Sequence, residues 1–480
     1  MTVKIDRFGG IAPRLHPSLL SDGMAVTAHN CRLKNGKLVP IREPQLVSDI
    51  SSHLENGLSR PQNARSIHIW RKRDGSFEFL LFPGLTWSAP GNVADDDRMR
   101  LIVSGETGFT FTDKDGKQWS NAPAIYLRNP STQYMEEPVS LCMNPIGAPR
   151  VERGEGAQEL GDGRIYTRFF FTWTDALGRE SPCSPPSLVK SGSAWIDDLI
   201  EHMDGDPIHF EPVGDLPDDA TALRVWKVVT GNEDGYIQFV NEIGRVDAEA
   251  TGGFTIAVKE EAANETIREI EAPPPDLRCI QDVPGGFYCG ISKSNPKTVF
   301  FSDVDLLYSW PTAFRYDVRD NVVALAVTSN SVFALTDGWP YVISGTAPES
   351  MTVAKIAGPA SCVSERGVCV FKNSVYFVSN SGLMSIYNDA NAGTVCTNVT
   401  EKMFSDDQWA GLNPSSCVMG HYKGALRLFF TLEDGSHRGL VIDLSEQPSV
   451  AITTHNEVAK CACVDVAADE LYYIREGEEA

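Results

Sequence analysis

The stretches Gly286-Phe287-Tyr288, Ser331-Val332-Phe333, Ser374-Val375-Tyr376, Ala425-Leu426-Arg427 and Glu470-Leu471-Tyr472 decide the fold. Most follow a turn bearing Gly or Asn, and each opens a short apolar strand. Their central residues Phe287, Val332, Val375, Leu426 and Leu471 stand 45, 43, 51 and 45 positions apart. A unit of that length holds about four strands, and one such sheet cannot bury both of its faces alone. Copies must stack, so the pattern predicts an all-β chain built as a β-propeller.

Upstream, residues 63–120 alternate with period two at Ile67-His68-Ile69-Trp70, Phe77-Glu78-Phe79-Leu80, Leu101-Ile102-Val103 and Phe109-Thr110-Phe111. Four strands in sequence read as one blade, assigned to residues 63–145. The character changes near 146. Arg164 to Thr174 is a long alternating aromatic strand, Ser181 to Ser187 is a proline-locked extended segment suited to a sheet edge, and Ala222–Val229 and Tyr236–Ile243 read as further strands. Together, residues 146–272 predict an inserted β-sandwich with the strand count of a fibronectin-type module. Pro273-Pro274-Pro275 reads as a stiff hinge back to residues 273–480, which hold about five more blades, for about six in all.

Residues 1–62 are rich in proline and read as an irregular arm, with a short helix over 19–30 and a tight turn at Lys34-Asn35-Gly36-Lys37. Such an arm must dock on its own propeller or on a neighbouring subunit. Phe8, Ile11, Leu15, Leu19 and Leu20 are its candidate contact residues.

The 42 Lys and Arg residues face 64 Asp and Glu, a formal charge of −22. A protein that wraps nucleic acid needs a basic stripe, and this chain has none. Its compact basic cluster, Arg71-Lys72-Arg73, runs into Asp74-Gly75 and reads as a hairpin tip. No segment reaches the ~18 apolar residues of a membrane span, and the chain opens on a polar stretch. The sequence therefore predicts a soluble protein without an export signal or a membrane anchor. Eleven cysteines are scattered without a Cys-x-x-Cys pair, and Cys461-x-Cys463 offers poor tetrahedral geometry. They read as reduced, buried, small apolar residues.

Catalytic signatures are sparse. Thr112-Asp113-Lys114-Asp115-Gly116-Lys117-Gln118-Trp119 approaches the aspartate-box loop of sialidases, but its Asp is shifted and it reads as a hairpin turn. Asp95-Asp96-Asp97 reads as a solvated acidic loop. The pairs Trp310-Pro311 and Trp339-Pro340 read as packing between blades. No P-loop, Gly-x-Ser-x-Gly or His-Glu-x-x-His occurs, and no His pair has metal-ligand spacing. The expectation is a non-enzymatic protein with no catalytic residue, cofactor or metal site.

Three stretches carry a family resemblance. Phe8-Gly9-Gly10-Ile11-Ala12-Pro13, with Ala28-His29-Asn30 and Gly36-Lys37-Leu38, is similar to the amino-terminal signature of phage tail and head-to-tail proteins. Phe300-Phe301-Ser302-Asp303 with Tyr308-Ser309-Trp310-Pro311, and Leu335 to Thr346 with Pro348 to Thr352, resemble blade phrases of the same proteins. The nearest family is the tail nozzle, or tail hub, of short-tailed phages, also called the packaged-DNA stabilisation protein. The resemblance implies a homo-oligomeric ring, usually a hexamer, below the portal and adaptor rings of the virion tail, assembled from chains made in the host cytoplasm. It implies a channel that retains packaged DNA, passes dsDNA without specific binding, and anchors tail fibres or spikes and a needle or plug. Acidic walls suit such a channel, because they repel phosphate over the ~8 Å reach of the field at physiological salt. The long acidic connection 197–219, with Asp197, Asp198, Glu201, Asp204, Asp206, Asp215, Asp218 and Asp219, is the candidate channel or tip loop, with a short helix expected over 195–202. Two rival readings remain: a virion propeller that binds or cleaves host-surface glycans, and a cellular propeller for protein interaction.

Overall fold

A computed structural model of the chain describes residues 8–34, 37–41, 43–47, 64–93, 95–230, 236–260, 265–389, 393–444 and 450–475. The expected turn at Asn35-Gly36 and the link at 231–235 lie outside them. The fold is all-β and consists of many small sheets.

Among the described residues, seven sheets follow one another outside the insertion. Sheet I pairs Ser66–Arg71 with Phe77–Phe82. Sheet II joins Thr86–Pro90, Leu101–Gly105, Ala124–Tyr126 and Val139–Ser140. Sheet III runs from Leu277–Val283 to Arg315–Asp317, sheet IV from Val322–Val327 to Thr352–Lys355, and sheet V from Val368–Phe371 to Gly393–Asn398, each with four antiparallel strands. Sheet VI runs from Val418–Tyr422 to Ala451–His455, and sheet VII pairs Cys461–Asp465 with Glu470–Ile474.

The apolar runs found in the sequence are the second strands of sheets III to VII. They are apolar on both faces because each face meets a different neighbour. Tyr288 joins the cluster shared by sheets II and III, while Phe287 joins that of sheets III and IV. Val332 and Phe333 split likewise between the III–IV and IV–V clusters. Tyr376 and Leu426 share the V–VI cluster, Phe429 and Leu471 the VI–VII cluster. Cys461 of sheet VII packs with Ile67 and Leu81 of sheet I, and Trp70 and Leu80 of sheet I pack with Val103 and Tyr126 of sheet II. The succession of neighbours returns to its start. The first strands follow the same succession, sheet III beside II and IV, and sheet VII beside VI and I.

Two of the connecting hairpins show why their turns were legible. Lys372-Asn373 has φ of 48° and 62°, and Lys423-Gly424 has φ of 47° and 82°. Two consecutive left-handed residues are the conformation that matches strand twist in a two-residue hairpin.

Between sheets II and III the chain builds a sandwich. One sheet orders Ala194–Ile196, Leu188–Ser191, Arg150–Arg153, Asp206–Phe210 and Phe254–Val258; the other orders Ile200–His202, Ile165–Asp175, Ala220–Val229 and Gln238–Gly244. Phe169, Phe171, Trp173, Leu223 and Val225 meet Val151, Ile208, Phe210 and Ile256 in one buried cluster. The proline-locked segment does cover a sheet edge. Ser181, Ser184 and Ser187 donate their backbone N–H to the carbonyls of Trp173, Phe171 and Phe169. Their hydroxyls accept the N–H of the same three residues at 2.9–3.0 Å. A three-residue period matches the turn of a polyproline helix, so each serine returns to the same side.

Four expectations are corrected. Residues 63–145 form two sheets rather than one blade, because Ser66–Arg71 and Phe77–Phe82 pair only with each other; Thr86–Pro90 was not foreseen as a strand, and Phe111 belongs to a separate hairpin with Trp119. The helix expected over 19–30 is a single 3-10 turn, Pro17–Leu19, followed by Met24–Ala25, which pairs parallel with Gly10–Ile11. The helix expected over 195–202 is two strand segments, since Ala194–Ile196 finds a partner in Leu188–Ser191 and Ile200–His202 in Ile165–Asp175. Among the described residues the sandwich has nine strands, including a parallel pair, Arg150–Arg153 with Leu188–Ser191, beyond the seven of an immunoglobulin-constant-type module.

The arm docks on its own chain. Gly10 pairs parallel with Ile452 on the outer edge of sheet VI, and Ile11, Ala28 and Cys31 enter the V–VI cluster. Phe8 packs against the same cluster. Ile11 is thereby buried within its own chain and not free for a neighbour, whereas Phe8 is half-buried. Leu15 and Leu19 remain exposed and Leu20 half-buried.

Candidate functional site

A cleft of about 910 Å³ opens where sheets I, II and VII meet. Ile69, Trp70, Arg71 and Arg73 line one wall, Ser88, Pro90, Asp96, Met99 and Arg100 another, and Val464 to Val466 the third. Its floor is held by Trp70, whose indole N–H donates to the Met99 carbonyl at 2.6 Å. The guanidinium of Arg128 stacks on the other side of that ring, 3.8 Å from its centre. Arg128 is fully buried, and its two terminal nitrogens each donate to Glu78 Oε2 at 3.1 Å. Burial lowers the Arg128 pKa, with Glu78 opposing. Burial would raise Glu78, yet Lys72 and Arg128 hold its carboxyl below the usual range.

At the rim, Arg71 makes a two-pronged contact to buried Asp465, at 2.7 and 2.6 Å. This ties sheet I to sheet VII across the seam where the first and last sheets meet. Asp465 also accepts the N–H of Ala467 at 3.1 Å. The basic trio is therefore divided: Arg71 and Lys72 are ion-paired, to Asp465 and Glu78, while the tip beyond them is the expected turn, with Gly75 at φ 85° and Asp74 accepting Ser76 N–H at 2.9 Å. Asp96 closes its own loop, accepting the N–H of Arg98 at 3.1 Å and of Arg100 at 2.8 Å, while Asp95 and Asp97 are exposed. The cleft thus carries balanced charge. It can hold a small polar ligand, and Ser88 on its wall lies 3.0 Å from Nδ1 of His68.

Most carboxylates of the acidic stretch are engaged in local contacts. Asp197 pairs with Arg168 at 2.9 Å and Glu201 with Arg164 at 3.1 Å. Asp206 is buried, pairs with Arg153 at 3.0 Å and accepts the N–H of Gln158 and Met203 at 2.9 Å each. Despite burial these contacts hold its carboxyl below the usual range. Asp204 accepts Glu260 N–H, and Asp215 accepts Gly147 N–H, both at 2.6 Å. Asp218 lies 3.8 Å from Arg245, and Asp198 and Asp219 are exposed. Asp206–Phe210 is a central strand of the sandwich, so the segment is not one long solvated loop. Local arginine partners, distant in sequence, gave no signal for this.

The Thr112–Trp119 loop is a hairpin. Asp113 accepts the N–H of Asp115 and Lys117 at 3.0 Å each and the indole N–H of Trp119 at 2.9 Å. Trp310 is fully buried in the II–III cluster, and Trp339 packs against the III–IV cluster beneath Lys355 Nζ. All eleven cysteines are free, eight of them buried; burial pushes the Cys142 thiol up to about 12. Among the described residues no helix is long and apolar enough to cross a membrane.

No family model matches the sequence, and no curated protein is similar to it. Solved structures similar in part include a puromycin-hydrolysing peptidase of Mycobacterium tuberculosis at 9% identity and TM-score 0.26, covering 87% of this chain and 54% of that one. Apo AztD of Citrobacter koseri aligns at 12% identity and TM-score 0.24, covering 64% of this chain and 76% of that one. Saccharomyces cerevisiae Sqt1 aligns at 9% and 0.25, covering 76% and 84%. This chain spans about half the length of the peptidase. At these scores the likenesses carry no argument.

Proposed function

We propose that the chain is a seven-bladed β-propeller with one inserted sandwich, and that it serves as a ring-forming structural subunit, the tail nozzle or hub of a short-tailed phage. The seven-sheet succession supports the propeller: each sheet buries one face against the sheet before it and the other against the sheet after it. The count exceeds the sequence expectation by one because residues 63–145 supply two sheets. The phage assignment rests on the resemblance of the three sequence stretches.

One observation carries the ring. The arm is pinned to sheet VI at Gly10 and Ile11, yet it leaves Leu19, Val26, Leu38, Leu46 and Val47 at 69, 60, 52, 91 and 58% exposure. Large apolar side chains concentrated on one docked arm mark a protein–protein contact. The portal, adaptor, fibre and plug partners are part of the same proposal. The net charge of −22 suits a channel that passes DNA without holding it, although the 197–219 segment is no longer the candidate for its lining. Mass photometry of the pure protein tests the ring. The wild type should show a discrete oligomer, and Leu19→Asp with Val26→Asp should give the single chain with unchanged circular dichroism. An oligomer unaffected by both changes refutes the arm as its contact.

The cleft favours a second reading, since about 910 Å³ lies within the size range of small-ligand sites. Glycan-array binding lost in Arg100→Ala would support a sugar-binding propeller over the ring.

A further inference from the structure

We propose that Glu152, His209 and Glu211 form a binding site for a divalent transition metal on the outer face of the sandwich. Their ligand atoms all lie within 4.8 Å of one another. Alternation along the strands sets them there. Val151 and Phe210 point into the sandwich core, so Glu152 and its register partner His209 point away from it, and Glu211 follows with its N–H bonded to the Arg150 carbonyl. Bonds of about 2.0–2.2 Å in a tetrahedral site need ligands roughly 3.5 Å apart, within reach of small side-chain rotations.

Two independent features prepare the imidazole. Its Nδ1 lies 3.2 Å from Thr255 Oγ1 on the adjacent strand. When Nδ1–H donates to that hydroxyl, the lone pair stays on Nε2, as in metal-bound histidines held by an outer partner. Gly253 packs against the ring without a side chain: a Cβ at this position, which has φ +66°, would stand 2.1 Å from the Phe210 carbonyl oxygen and 3.2 Å from Nε2. A positive charge already occupies the site. Lys190 Nζ lies 2.8 Å from Glu152 Oε2 and in the field of Glu211. Its side chain is 40% exposed and free to swing into solvent as a metal enters. One imidazole and two carboxylates suit Zn²⁺, Co²⁺ or Mn²⁺, with the remaining positions open to water.

Co²⁺ titration followed by visible absorption and equilibrium dialysis tests this. One Co²⁺ per chain is expected, with visible bands and without the thiolate charge-transfer band that binding at a cysteine would give. His209→Ala should weaken binding at least tenfold, and Thr255→Val on the order of tenfold. Lys190→Met should tighten it and, because it leaves every ligand in place, separates loss of the site from loss of the fold. Absence of saturable binding in the wild type and in Lys190→Met, a thiolate band, or an affinity indifferent to His209→Ala would each overturn the site.

Discussion

Arg128 shows how one residue can organise a seam. Its guanidinium is fully buried, stacked on Trp70 and doubly bonded to Glu78, and so holds sheet I to the end of sheet II. Removing one partner of a buried ion pair is costly, so Arg128→Ala should lose about 3 kcal/mol in urea unfolding; a loss within experimental error would show that the pair is dispensable. His68 offers a pH test. It lies 2.8 Å from Thr86 Oγ1 and 3.0 Å from Ser88 Oγ, and burial lowers its pKa to about 4. The folded ring stays neutral where an unfolded one, with a pKa near 6.5, takes up a proton. The unfolded state thus binds more protons between pH 6.5 and about 4, and stability falls as pH drops through that window, by up to about 3 kcal/mol from this residue. His68→Gln should flatten the decline, read as thermal midpoints at pH 7 and pH 4.5. Parallel pH profiles for variant and wild type would contradict it. Neither residue was singled out by the sequence, because most of their partners lie 18 to 58 positions away.

At the scale of elements, legibility followed burial. The second strands of sheets III to VII were readable because both faces are apolar and, in all but sheet IV, a left-handed residue stands in the turn before them. Short strands such as Met24–Ala25 and Ala194–Ile196 were not, since they owe their conformation to a pairing partner rather than to local preference. The Asp337-Gly338 turn teaches the same lesson. Asp-Gly chemistry suggests a positive φ, but Gly338 is not among the positive-φ glycines, and the constraint is contact: a Cβ there would stand 2.7 Å from the Asp320 carboxylate. Gly338→Val should still destabilise sheet IV, by roughly 1–3 kcal/mol through overpacking, and Asp320→Ala should relieve most of that loss in a double-mutant unfolding experiment. If it does not, the contact is not the cause. For the arm, Gly10 has φ +87° and an added Cβ would stand 2.4 Å from the Ile452 carbonyl oxygen. Gly10→Val should release the arm, seen as faster proteolysis between residues 11 and 30 with the remaining fragment protected. Unchanged proteolysis would mean the pairing with sheet VI does not hold it. Because Ile11, Ala28 and Cys31 complete the V–VI cluster, removing residues 1–40 should cost stability on the order of 5 kcal/mol as well as assembly.

For the whole molecule, the repeated spacing carried the architecture, and the acidic composition carried little about the site. Four of the eight carboxylates expected to line a channel pair with arginines, and the cleft between sheets I, II and VII is charge-balanced. Position in the sequence could not reveal which acids face one another, because their partners come from other strands. The arm carries six of the exposed large apolar side chains, Leu15, Leu19, Val26, Leu38, Leu46 and Val47, and the ring depends on what they meet. Electron cryomicroscopy of the purified chain tests this most directly. Projection averages should show a closed ring, about six times the 52.6 kDa chain mass if the resemblance holds, each subunit a seven-spoked disc with one side lobe and its arm against the next subunit. Isolated single chains at the same concentration, or discs that do not divide into seven, would contradict it.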